Sequence, residues 1–180
     1  MGVAYVANMA PVVAGKLPGT ERWVELAHKY SGGAVWNNGT YVNRDIRGKP
    51  GQVSNHARGL AMDLSYRFMP NSKKGVTDGR RLSLQFINQC LSAYDVLGIQ
   101  LVIDYWTEPL GRSWRSDRAI DGPNALPNHR EAWQVPRSKT FTGAPGGDWW
   151  HVEITRELAN DAAAVTAAFT TVFGVSTTTV

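Results

Sequence analysis

Ser54-Asn55-His56-Ala57-Arg58-Gly59-Leu60-Ala61-Met62-Asp63 is the stretch on which the reading of this chain turns. Six residues separate His56 from Asp63, and Gly59 between them allows a sharp turn or the close approach of another segment. Leu60 to Leu64 reads as a short strand, which puts Asp63 on the opposite face from Met62. A turn running into a strand can aim both side chains at one ion. Ser54, two residues before His56, can brace the ligand or the turn with its hydroxyl. Far downstream, Asp148-Trp149-Trp150-His151 offers a second imidazole and a further carboxylate, and His151 to Ile154 reads as another strand. Two imidazoles and one carboxylate, with a fourth position left to water, are the donor set of a hydrolytic zinc centre. His56, Asp63 and His151 are therefore expected to hold one zinc ion. Asp148 is expected beside them as general base, with Trp149 and Trp150 forming a dry wall.

The elements around these segments follow from periodicity and punctuation. Thr20 is placed to cap a helix running to Tyr30, with Gly32-Gly33 ending it. Residues 36–52 read as loop with a short extended piece near Tyr41 and a turn at Pro50-Gly51. Asp78 can cap a helix that ends before Gly98, with Leu82, Phe86, Ile87, Cys90 and Leu91 at core spacing. Ile99 to Ile103 is the clearest strand. Thr107 to Gly147 reads as one long irregular loop flanking or covering a cleft. Thr155 can cap a last helix reaching about Phe173. Helices at both ends and in the middle, with short strands carrying the ligands, indicate an α+β fold. The expected organisation is one domain over residues 1–175, with 176–180 as a tail or linker.

Composition narrows the classes. The chain has 180 residues, 43% hydrophobic and 19% charged, which suits a folded domain rather than a disordered one. Its net charge is +4. That mild excess suits an anionic polymer such as bacterial cell wall, and no dense Lys/Arg run with interleaved aromatics points to nucleic acid. Cys90 is the single cysteine, so an intrachain disulfide and a cysteine-rich zinc site are both excluded. Met1 to Gly15 is apolar but lacks a basic start and is diluted by Asn8 and Pro11, so no signal peptide is read. No stretch is long and apolar enough to insert into a membrane. His28 and His129 read as structural or solvated histidines.

The pattern Ser54-x-His56-x-x-Gly59-x-Ala61-x-Asp63, followed far downstream by an acidic residue three positions before His151, resembles the D-Ala-D-Ala carboxypeptidase and dipeptidase family of zinc peptidases. That family includes the VanY and VanX types and the phage L-alanyl-D-glutamate endolysins. Tyr41 to Gly48 resembles the Arg-containing segment that precedes the first ligand in phage members, and the likeness spans about residues 35–155. The resemblance implies His56, Asp63 and His151 as zinc ligands and Asp148 as the catalytic carboxylate, where many relatives carry Glu. It implies an arginine that stabilises the oxyanion, with Arg44 the first choice and Arg47 the second. It also implies a small antiparallel sheet flanked by helices, with the zinc cleft along the sheet, as in hedgehog-like domains.

The activity so implied is hydrolysis of an amide bond in the peptidoglycan stem peptide, with the L-alanyl-D-glutamate bond as the first expectation. A D,D-carboxypeptidase or D,D-endopeptidase acting at D-Ala is the alternative. A zinc-containing wall-binding module that does not cut is the alternative of another class. A monomer made in a host cytoplasm and acting on the wall after release, as a phage lysin does, fits the missing signal.

Overall fold

Alternation along two strands organises this molecule. The computed structural model describes residues 5, 10–107, 111–118, 133–134 and 146–174. In β4 (Ala61–Ser65) and β8 (Trp149–Ile154), Met62, Leu64, Trp150, Val152 and Ile154 enter one hydrophobic core. Asp63, Trp149, His151 and Glu153, at the intervening positions, line a cleft on the other face. The period of two in a pleated strand therefore separates structural from chemical side chains.

β4 and β8 lie inside a six-stranded sheet whose order is β1-β4-β8-β5-β6-β7. The other members are β1 (Trp36–Gly39), β5 (Ile99–Asp104), β6 (Arg112–Arg115) and β7 (Trp133–Gln134), and each neighbouring pair is antiparallel. β2 (Asp45–Ile46) and β3 (Lys49–Val53) form a separate two-stranded hairpin. The helices are α1 (Pro18–Tyr30), α2 (Gly79–Ser92), α3 (Arg156–Asn160) and α4 (Ala162–Phe173). The fold is thus α+β with an antiparallel sheet and several helices.

The helices cover the face opposite the cleft. Trp23 of α1 meets Phe169 of α4 edge to face at 5.0 Å and Phe86 of α2 at 6.4 Å. Trp150 reaches into this layer and donates its indole N–H to Ser83 Oγ of α2 at 3.0 Å. Side chains of this size contribute about 1.5–3 kcal/mol each on full burial, so this layer carries most of the fold's cohesion.

Several local expectations change. Thr20 is not a cap: α1 starts at Pro18, and the buried Thr20 hydroxyl donates to Gly59 O, tying the helix to the ligand turn. The extended piece near Tyr41 lies instead at β1, and Pro50-Gly51 sits within β3, with the hairpin turning at Arg47-Gly48. Asp78 stands at the N-cap of α2, but its carboxylate pairs with Arg81 rather than capping. Thr155 does cap, accepting from Leu158 N–H, yet the last helix breaks where Asp161 caps α4 afresh. Within Thr107–Gly147 the described residues include β6 and β7, and Trp114 is fully buried, so that stretch is not wholly loop. The cover over the cleft expected from its remainder, His129 and the tail at 176–180 lie outside the described residues. No described helix is long and apolar enough to cross a membrane.

Candidate metal centre

His56 sits on a tight turn built by backbone hydrogen bonds. Ala57 N–H donates to Ser54 O, Gly59 N–H to His56 O and Leu60 N–H to Asn55 O, closing residues 54–60 into a knot. Gly59 has φ 71, a left-handed backbone that favours glycine. A methyl group there would also lie 2.6 Å from Leu17 Cγ. Ser54 Oγ accepts the His56 backbone N–H at 3.3 Å, so Ser54 braces the turn. The turn feeds into β4, whose Asp63 is the direct cross-strand partner of His151 on β8. Register alone brings those two side chains together on one face.

His56 Nε2 lies 3.4 Å and His151 Nδ1 3.1 Å from the same oxygen, Asp63 Oδ1. One donor atom from each of the three residues falls within 4.8 Å of the others. The far nitrogen of each ring has its own acceptor. His56 Nδ1 faces Thr40 O at 3.4 Å, and His151 Nε2 faces Glu153 Oε1 at 3.0 Å. Carbonyl and carboxylate oxygens only accept, so every one of these ring nitrogens faces an acceptor, and with a cation on the near nitrogens the far ones carry the protons. Two imidazole lone pairs and a carboxylate oxygen then converge on one point. Such an arrangement is repulsive until a proton or a cation stands between them. The donor chemistry fits a divalent ion bound by nitrogen and oxygen, and the buried His56, Asp63 and His151 group could hold one.

The electrostatics show the same demand for positive charge. Burial opposes a charged His151, but hydrogen bonds to Asp63 and Glu153 outweigh it and push its pKa up to about 10. Burial alone would raise the Asp63 pKa, yet hydrogen bonds from His151 and His56 hold it well below the usual carboxylate range. Tyr105, in the cleft wall, is raised first by burial and then by the charges of Asp63 and Glu153.

The other expected site residues divide. Arg44 and Arg47 both line the cleft on the β2–β3 side, and Arg44 Nη1 also donates to Asp45 O at 3.1 Å. Trp149 lines the cleft against Tyr105, ring centroids 5.2 Å apart. Trp150 does not form part of that wall. One residue further along the strand, it points into the core beneath Arg80. Nor does Asp148 join the three converging residues. It lies just before β8, and its carboxylate forms a two-pronged pair with Arg67, including Nη2 to Oδ1 at 2.9 Å. His28 is structural as expected, with Nδ1 2.7 Å from Val35 O.

Residues that the sequence reading missed are Glu153, Asn55, Thr40, Tyr105 and Tyr5, which either line the cleft or hold the ligand rings. Glu153 carried a signal: two residues after His151 on a strand is the same face. Thr40 acts through its backbone carbonyl, which no side-chain pattern reveals. Comparison of the chain with protein-family models, with curated proteins and with solved structures gave no match.

Proposed function

We propose that this protein is a zinc-dependent peptidase of bacterial peptidoglycan that hydrolyses an amide bond of the stem peptide, as the resemblance to VanY-type enzymes and phage endolysins implies. The observation that carries the reading is the convergence of His56 Nε2, Asp63 Oδ1 and His151 Nδ1 in a cleft whose wall includes Arg44 and Arg47. The cleft along the sheet is then the zinc cleft of a D-Ala-D-Ala-peptidase-like or hedgehog-like fold. Zinc held there supplies Lewis-acid chemistry, polarising a carbonyl and lowering the pKa of a water.

The chain's own residues do the rest. His56, Asp63 and His151 hold the ion. Arg44, with Arg47 beside it, stabilises negative charge growing on the scissile carbonyl oxygen and attracts the carboxylates of the stem peptide. Trp149 and Tyr105 exclude bulk water from one side of the cleft. Asp148 takes a proton on its carboxylate and returns it to the departing nitrogen, a role that requires it to leave Arg67 when substrate binds. The L-alanyl-D-glutamate bond is the proposed target, and a D,D-peptidase acting at D-Ala is the nearest alternative. The protein works as a monomer on the wall after release from the host cytoplasm.

The Arg67–Asp148 pair favours one other reading, a wall-binding module that keeps the metal and does not cut. Digestion of purified peptidoglycan, with product masses read before and after exhaustive EDTA dialysis, separates them. Chelator-sensitive release of fragments with new N-terminal Glu is expected. Free D-Ala identifies the D,D alternative, and binding to the wall without products leaves the module.

A further inference from the structure

Glu153 is a buried carboxylate that the proposed chemistry does not use. It is 9% exposed and lies two residues after His151 on β8, so it shares the cleft face. Burying a carboxylate is costly unless it is hydrogen-bonded, and both of its oxygens are engaged. Oε1 faces His151 Nε2 at 3.0 Å, and Oε2 accepts from Asn55 Nδ2 at 2.7 Å. Asn55 immediately precedes His56, the ligand on the other segment. A continuous chain thus runs from the His56 turn through Asn55 and Glu153 to the His151 ring.

The chain has a definite chemical effect. Both His151 nitrogens face carboxylates, so with an ion on Nδ1 and Asp63 the ring proton goes to Nε2, where Glu153 accepts it and leaves the Nδ1 lone pair, 3.1 Å from Asp63, to the ion. The opposite tautomer would set a ring lone pair against the carboxylate and turn an N–H toward the ligand cluster. The negative charge also makes the imidazole a stronger donor. Asn55 keeps Glu153 in this pose by occupying its second oxygen.

We propose that Glu153 is a positioning residue which, steadied by Asn55, locks the His151 ring with Nδ1 toward the bound ion and so sets the protein's zinc affinity. The inference deepens the zinc-site reading above and rests on it, but not on the identity of the substrate.

The test uses the full chain and zinc alone, with affinity measured by competition against a chromogenic chelator. Glu153→Gln is expected to weaken zinc binding by about 10–100-fold, and Asn55→Ala by a smaller factor in the same direction. In the zinc-loaded protein, proton NMR should show a protected His151 Nε2–H resonance that Glu153→Gln loses, an effect that general loosening would not confine to one ring. Glu153→Asp, which keeps the charge, should recover part of the affinity. If Glu153→Gln fails to fold, Asn55→Ala and Glu153→Asp carry the measurement. Zinc affinity unchanged across these variants overturns the inference, and it leaves the peptidase reading standing if the wild type still digests wall. A wild type that binds no zinc overturns both. Weakened zinc binding in a protein that releases no wall fragments supports the inference and removes the peptidase.

Discussion

Two aspartates on opposite faces of one sheet, Asp104 fully buried and Asp63 half-buried, have opposite surroundings. Asp104, at the end of β5, is fully buried on the helix-covered face. Arg80 grips it with two hydrogen bonds of 3.0 and 2.7 Å, Arg112 Nε adds a third of 3.0 Å, and Trp106 N–H a fourth of 3.2 Å. Arginine keeps its charge at any ordinary pH, so that carboxylate is permanently neutralised. Asp63, on the cleft face, meets two imidazoles, which are neutral or charged according to what else is bound. A buried acid surrounded by fixed cations is finished as it stands. One that faces imidazoles can trade their protons for a metal ion, and that contrast separates a structural ion cluster from a candidate metal site.

The contrast can be broken most severely at a ligand. On the proposed zinc reading, a zinc ion bound by four protein ligands is worth about 10–16 kcal/mol, or roughly 2.5–4 kcal/mol per ligand, which is about 10²–10³-fold in Kd. His56→Ala should therefore empty the centre at micromolar zinc, as read by metal content after gel filtration, while urea unfolding in EDTA changes little. Asp104→Ala should do the reverse. It strands two arginines that are 25% and 31% exposed, so the loss of stability falls near the low end of the range for broken buried pairs, about 3 kcal/mol in urea unfolding. Its zinc affinity should match the wild type. Equal zinc loss in both variants would erase the distinction.

A smaller effect sharpens it through pH. The His151 pKa stands raised to about 10 from 6.5, so in the metal-free protein its protonated form contributes stability that is full below 6.5 and lost as pH rises through about 10. Asp63 is lowered, so its contribution is present above the ordinary carboxylate range and lost as pH falls. Metal and proton compete for His151 Nδ1. Zinc affinity should rise with pH up to about 10, by up to roughly tenfold per unit, with proton release detectable by calorimetry in two buffers. A flat zinc affinity across that window would contradict the competition.

Much of this was legible in the residues. The strands carrying Asp63 and His151, the helix opened near Asp78 and the three converging side chains all follow from alternation, helical spacing and donor chemistry. The same alternation, carried two steps further along β8, also separates Trp149 from Trp150 and groups Glu153 with His151. Closeness in sequence misplaces Trp150, because the pleat of an extended chain sends neighbours to opposite faces, and it does not reveal that Asp148, just before β8, pairs with Arg67. β6 and β7 escaped notice because short strands among prolines have too few residues to show a period. The partners Thr40 and Asn55 come from tertiary contacts, which no local window contains.

Because Asp63 and His151 are direct partners across β4 and β8, a slip of one residue in that pairing would carry one of them to the far side of the sheet. Chelation at this centre would thus be an assay of correct strand alignment. Misaligned forms cannot be rescued by excess ion, and a cation present while the chain collapses would select, among competing pairings, the one in which the sheet is properly threaded.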